Sequence, residues 1–282
     1  HGGKLTFFKK KGIGPRIADA LKHAKGEVIC FLEDDDLFEK EKLEKIYNIF
    51  KKNDKLVYIR NADIYIDKFE KTLSHGPSKF EKILGNIEIK EANKNVIDLL
   101  RIQQYSNPWH NSSSIAIRRS VLEKFKKELN LVKFAPDLFF YLISLVSGDL
   151  LLLKDKLTRY RVHSSTSSSV EEYDKFKNTI LKFESKDTPK IIMNKRNIHL
   201  PNNLKRYFLV FARDQEITYY FYAGNYRKKV LFNYIKIFPY TFIAYPKSTI
   251  LRGLQVAFYI IAPERFRRFN YERTKKYMKS LR

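Results

Sequence analysis

Val28-Ile29-Cys30-Phe31-Leu32-Glu33-Asp34-Asp35-Asp36 is the stretch on which the reading of the fold turns. Its apolar half reads as a buried strand over 27–32. Four carboxylates then stand in a row at the carboxyl end of that strand. Like charges so close repel unless something positive lies among them, and in open α/β sheets this is where ligands bind. A divalent cation with oxygen ligands, holding a phosphate, is the simplest neutraliser. Capping the next helix would use one or two of these carboxylates, so four exceed that need. The cluster lacks the spaced acids and central Gly of an EF-hand loop, and it lacks the Cys and His of a usual zinc site.

Upstream, Gly12-Ile13-Gly14-Pro15 is a turn, and Pro15 can open a helix over 16–25. Ile17, Ala20, Leu21 and Ala24 share one face of it, and Gly26 is placed to cap its end. Downstream, Leu43, Ile46, Ile49 and Phe50 predict a helix from 39 to about 50. Residues 56–66, β-branched and aromatic, read as one strand or two short ones. This strand–helix alternation argues for an α/β domain. Residues 72–91 are weakly patterned and read as a loop. A short helix over 95–105 follows, then an irregular turn at Pro108-Trp109-His110-Asn111 and a small strand over 113–117. Ser120 can cap a helix over 121–128. Asp137, after Pro136, opens an apolar helix running to about 146. Residues 150–162 read as a strand or hairpin, and His163 leads into a Ser/Thr run that reads as a loop.

The chain has 282 residues and a formal charge of +24. That length suits one large domain, or a domain with an appendage. A single cysteine, Cys30, excludes an internal disulfide, and inside an apolar strand it reads as a small core residue. The longest apolar stretches, 139–153 and 253–262, are respectively broken by Gly148-Asp149 and too short to cross a bilayer. Beyond 170 the character changes. Helical patterns occur over 171–183 and 204–222. Residues 227–282 then carry fourteen Lys/Arg against two acids, Glu264 and Glu272, with aromatics interleaved. Pro239, Pro246 and Pro263 are expected to divide this stretch into short helices. Three readings fit it: an anionic membrane surface, nucleic acid, or a solvated face on helices packed against the first domain.

Ala20-Leu21, Ala24-Lys25-Gly26-Glu27, the strand 28–32 and the acidic run 33–36 together resemble the family 2 glycosyltransferases of the GT-A fold. The resemblance extends over about 12–169 and includes Asn111 to Leu122, Asp137 and Tyr160-Arg161-Val162-His163. It implies a mixed α/β sheet flanked by helices in a catalytic domain over 1–169, followed by a helical, basic region over 170–282. By position, Asp36 and Asp35 match ligands of a Mg²⁺ or Mn²⁺ ion that binds the diphosphate of a nucleotide-sugar, and His163 approaches the same metal. Glu33 stands where the family has its first Asp, Asp34 at a variable position, and both fall with Asp35 and Arg161 in the donor site. Asp137 matches the general base of inverting members, with Pro136 in place of the usual Glu. Read alone, Asp137 is better taken as a helix cap, His163 as a loop residue and Arg161 as a strand-edge charge; the three in this order and spacing after the acidic loop shift the balance toward the site.

The resemblance implies transfer of a sugar from a UDP- or GDP-sugar to a hydroxyl of a lipid-linked or glycan acceptor. The product would be a surface polysaccharide, a glycolipid or a glycoprotein glycan. It implies a cytoplasmic enzyme, peripheral at the inner face of the cell membrane through its basic C-terminal region. Family members begin with a nucleobase-binding strand and turn some tens of residues before the Gly12 region, and this chain is expected to lack them through truncation. Two rivals use the same residues differently: a basic nucleic-acid-binding protein with a structural acidic loop, and a metal-dependent phosphoryl-transfer enzyme.

Overall fold

A computed structural model describes residues 12–74, 85–91, 94–162, 172–182, 187–196 and 198–280. Six strands form one mixed sheet in the order β1-β5-β3-β6-β2, with β4 also on β6. They are β1 (Val28–Cys30), β2 (Leu37–Phe38), β3 (Leu56–Ile66), β4 (Ile87–Ile89), β5 (Ile115–Arg118) and β6 (Asp149–Arg161). β3 and β6 run parallel along their length, and every other pairing is antiparallel. Their opening stretches, Leu56–Ile59 and Leu150–Leu153, read as continuous apolar runs because the sheet is covered on two faces there. β6 is shared: its first part, Leu150–Leu152, pairs β4, and Thr158–Arg159 pairs β2.

Successive residues of β3 enter different cores. Ile59 packs with Ile46 and Phe50 of α2 (Lys42–Lys52) on one face. Tyr58 belongs to the larger core on the other face, with α3 (Val96–Ser106), α6 (Pro136–Leu145) and α9 (Asn202–Ala223). The sheet is thus held between helical layers, the mixed α/β architecture expected of a GT-A-like domain.

Several boundaries depart from the sequence pattern. α1 spans Ile13–Ala20, starting earlier and ending well before Gly26, which caps nothing. Its position is set from outside: the Ile13 and Gly14 N–H groups donate to the Lys133 and Val132 carbonyls at 3.2 and 3.0 Å. β2 was not anticipated, and β4 lies in a region read as loop; both are too short to carry a period of their own. Residues 56–66 and 149–161 are single strands, not pairs. Ser120 caps no helix, since α4 (Arg119–Lys124) already begins before it and is followed by α5 (Lys126–Leu129).

Beyond the sheet come α7 (Tyr173–Lys182), α8 (Thr188–Met193) and α9, then α10 (Arg227–Ala244), α11 (Pro246–Ile261) and α12 (Pro263–Ser280). Pro246 and Pro263 open helices as expected, but Pro239 lies inside α10. Pro239 is exposed, so the backbone bond it removes falls on the solvent side, where water can replace it. Tyr207 of α9 donates to Gln103 of α3 at 3.0 Å, and Arg101 of α3 donates to the Ala244 carbonyl at 3.3 Å. The helical region is therefore seated directly on the sheet domain.

Candidate active site

The acidic loop has an unusual path. β1 forms one edge of the sheet and β2 the opposite edge, so residues 31–36 must cross over the ends of the strands between them. The crossing is fastened at each step. The Glu33 N–H donates to Ser113 Oγ at 2.9 Å. The Asp36 N–H closes the turn on the Glu33 carbonyl at 3.3 Å. Arg161, the last residue of β6, donates its backbone N–H to Asp36 Oδ1 at 2.9 Å and its Nε–H to the Asp35 carbonyl at 2.8 Å. The rest of its guanidinium holds the Asp67 carbonyl at 3.0 Å and the Glu70 carboxylate at 3.3 Å. Arg161 thus lies against the acidic loop, with its donors on protein atoms.

Below the loop lies a buried polar network that the sequence reading did not single out. Lys42, fully buried at the start of α2, donates to the Ser113 carbonyl and to Thr158 Oγ1, the latter at 2.7 Å. Asn61 donates to the same Thr158 hydroxyl at 2.9 Å. Asp63 accepts from Arg60 at 2.9 Å in a fully buried ion pair, and also from Ser114 Oγ and Asn111. A signal was present: Arg60-Asn61-Ala62-Asp63 interrupts an apolar strand, and polar groups buried there need partners. Burial pushes the Lys42 ammonium down to about 8, with Cys30, Asp63 and Asp36 drawing it back up.

The four carboxylates are not equivalent. Glu33 and Asp34 are exposed, Asp35 is half-buried and Asp36 is buried, at 4% exposure. Burial, with a smaller push from Asp35 in the same direction, raises the Asp36 carboxyl above the usual range, against the pull of the Arg161 N–H. Its Oδ2 has no hydrogen-bond partner of good geometry, although Ser113 and Asn111 lie near enough to lower the shift. Glu33 is raised too, first by lost hydration and then by Asp36. Tyr160 faces the same charges, and burial and the carboxylates together push its phenol up to about 12.

Asp137 lies in the first turn of α6. Phe31, leading into the acidic loop, stacks on Phe140 of α6 with ring centroids 4.4 Å apart, which brings the helix start beside the loop. Burial pushes the Asp137 carboxyl up to about 7; the Leu138 N–H bonded to it at 2.9 Å opposes this, and the charge of Glu33 adds to it. Ala135 caps α6 in a left-handed conformation at φ 50°, and Pro136 occupies the first turn. The turn 107–111 forms a further wall. Asn107 and Asn111 both have positive φ, and the ring of His110 packs on Tyr160 at 5.3 Å. His110 is held neutral, pushed down to about 3 by burial and by Arg60. Sequence reasoning quoted this turn without assigning it a role.

His163 lies outside the described residues, as does the Ser/Thr run after it. Among the described residues no group of three or more His, Cys, Asp or Glu converges as a metal site. The donor chemistry still fits a hard cation: the loop offers only oxygen, and Asp36 Oδ2 is an acceptor with no donor. Among the described residues no helix is long and apolar enough to cross a membrane.

Residues 4–131 match the family described as Glycosyl transferase family 2. A protein of Nostoc sp. (strain PCC 7120), described as an uncharacterized glycosyltransferase, is 27% identical over 169 residues, covering 58% of this chain. The chain spans about half, 48%, of the length of that curated relative. The acidic loop, Lys42, the Arg60–Asp63 stretch and the Asn111–Ser114 segment fall inside the matched residues, whereas Thr158 of the Lys42 network does not. Asp137 and Arg161 lie beyond them.

Proposed function

We propose, from the family 2 glycosyltransferase segment this chain carries, that it is an inverting enzyme moving a sugar from a nucleoside-diphosphate donor to a hydroxyl acceptor. The observation that supports this best is the meeting of two elements distant in sequence. The Phe31–Phe140 stack ties the acidic loop to α6, and the charge of Glu33 reaches the Asp137 carboxyl in the first turn of that helix. One group offers oxygens to a cation and diphosphate; the other is a carboxyl poised at about 7 to take a proton.

In this reading Asp36 and Asp35, with His163, would hold a Mg²⁺ or Mn²⁺ ion, which would supply neutralisation of the leaving diphosphate. Glu33, Asp34 and Arg161 line the donor side, Arg161 by fixing the loop's backbone. Asp137 accepts the proton of the acceptor hydroxyl as its oxygen attacks the anomeric carbon. The bond from that carbon to the diphosphate oxygen breaks, and the configuration inverts. Alignment of the two reactants supplies much of the acceleration. We assign the chemistry to 1–169 and acceptor or surface contacts to 170–282. The donor is a UDP- or GDP-sugar, and the acceptor is lipid-linked or glycan, at the cytoplasmic face of a membrane.

Calorimetric titration of the chain with UDP and with GDP, with and without Mn²⁺, tests the donor site. Manganese-dependent binding lost in Asp36→Ala is the expected result. Salt-sensitive binding of single-stranded DNA with no response to either nucleotide would overturn the proposal in favour of a nucleic-acid-binding protein.

A further inference from the structure

α10 carries apolar side chains on two sides, where a surface helix ordinarily carries them on one. Its inner face is buried, through Val230, Asn233, Ile237, Thr241 and Ala244. Its outer face is not. Leu231, Ile235, Phe238 and Phe242 follow one another at helical spacing, and all four are exposed. α11 doubles back along α10: Tyr234 donates to the Thr249 carbonyl at 3.1 Å, and a Cβ on Gly253 would stand 2.5 Å from the Tyr234 hydroxyl. α11 also turns an apolar stripe outward, with Ile250, Leu254 and Ile261 at 53%, 63% and 78% exposure. In an antiparallel hairpin packed through these residues, the two stripes fall on the same side.

We propose that this side of the α10–α11 hairpin is an in-plane anchor for an anionic bilayer, its apolar side chains entering the acyl boundary and its lysines meeting the headgroups. Charge selects this occupant. No Asp or Glu occurs from Arg227 to Ile261. Exposed Lys228 and Lys229 stand at one end of the hairpin, exposed Lys247 at the other, and Lys236 lies between. A second copy of the chain meeting this face about a two-fold axis would set cations against cations, with no acid opposite. Anionic headgroups complement them, and the acyl boundary takes the phenylalanines and aliphatics. Since among the described residues no helix can span a bilayer, the hairpin lies on the membrane. This deepens the membrane contact proposed above and rests on it, but is independent of the transfer chemistry.

Co-sedimentation of the full chain with vesicles of phosphatidylcholine, alone or with one part in three phosphatidylglycerol, tests the anchor. Binding to the anionic vesicles is expected, with a fraction persisting in 1 M NaCl. The triple variant Phe238→Ser, Phe242→Ser, Leu254→Ser should partition at least about tenfold less, with circular dichroism unchanged. Leu254→Trp, which weakens nothing, should emit further to the blue when anionic vesicles are added. Binding that salt fully reverses, with the triple variant unaffected and no spectral shift, overturns insertion and leaves the surface contact. Binding to neither vesicle overturns both. Concentration-dependent self-association abolished by the triple variant, without vesicle binding, would assign the face to a second copy and refute the proposal.

Discussion

Asp137→Asn removes one site of ionisation and changes almost nothing in shape. Burial raises this carboxyl to about 7 in the folded chain; an Asp in an unfolded chain titrates near about 3.9. The gap of about 3 units, at about 1.36 kcal/mol each, makes the ionised form cost the folded state about 4 kcal/mol. Because the folded value is the higher one, the folded chain keeps a proton that the unfolded chain has released. Stability is therefore lost as pH rises from about 4 to about 7, is free of this penalty below that window, and carries all of it above. Asn cannot ionise and can still accept from the Leu138 N–H. Glu33 and Asp36, also raised, titrate in both proteins and largely cancel in the comparison. Urea unfolding without divalent cations should give wild type and variant a nearly constant difference below about pH 3. By pH 8 the variant should have gained about 2–4 kcal/mol, the lower figure allowing for the residual solvent contact of Asp137. The same variant should lose transfer, and the wild-type rate should climb through pH 7. A stability difference that does not change with pH refutes the buried carboxyl, and retained turnover removes Asp137 from the base role.

Lys42→Ala leaves the Ser113 carbonyl without its buried cation and opens space beneath the loop, so the urea midpoint should report a loss of about 3 kcal/mol. An unchanged midpoint would mean that the network is not what fastens the crossing. Phe140→Ala removes one half of the stack that joins α6 to the acidic loop; it should cost about 3–5 kcal/mol and weaken transfer beyond any loss of folded protein at the assay temperature. Gly14→Ala would place a Cβ 2.1 Å from the Leu129 carbonyl oxygen, and thermal melting should register a penalty of about 1–3 kcal/mol or more from overpacking. A melting temperature equal to wild type would show that α1 and α5 are not in the tight contact described.

The sequence made some elements plain and hid others for physical reasons. α2, β3, α6 and β6 carry enough apolar residues at one period to be read without their surroundings. β2 and β4 do not, because two or three residues cannot display a period; they exist through the hydrogen bonds that β6 offers them. Gly26 looked like a helix cap, yet α1 is positioned by carbonyls at Val132 and Lys133, far away in sequence. Pro239 looked like a helix break, and its exposure made the lost bond tolerable. Within the site, the carboxylates and Asp137 were legible as isolated residues that chemistry could use. Lys42, Asp63 and Thr158 were not, because a buried polar side chain is distinguished by its partners, and those lie up to 116 positions away.

The partners explain why Asp36 keeps one carboxylate oxygen without a donor among the described residues. The chain is strongly cationic, and cations do stand near the loop, but their hydrogen bonds go elsewhere. Lys42 gives its protons to a backbone carbonyl and a hydroxyl. Arg161 gives its side-chain donors to the Asp35 and Asp67 carbonyls and to Glu70, and only its backbone N–H to one oxygen of Asp36. Arg60 is committed to Asp63 and the His110 carbonyl. Arg161 fixes the path of the loop through its backbone, and none of the three gives a side-chain donor to Asp36 Oδ2. Glu33 and Asp36 both have raised pKa values, first through lost hydration and only then through neighbouring carboxylates, Asp36 for Glu33 and Asp35 for Asp36. A loop fastened through its backbone, with the buried Asp36 Oδ2 still lacking a donor among the described residues, is the arrangement the proposed cation site requires. A structural acidic loop would be expected to show the opposite arrangement, with Lys42 or Arg161 turned onto the carboxylates themselves.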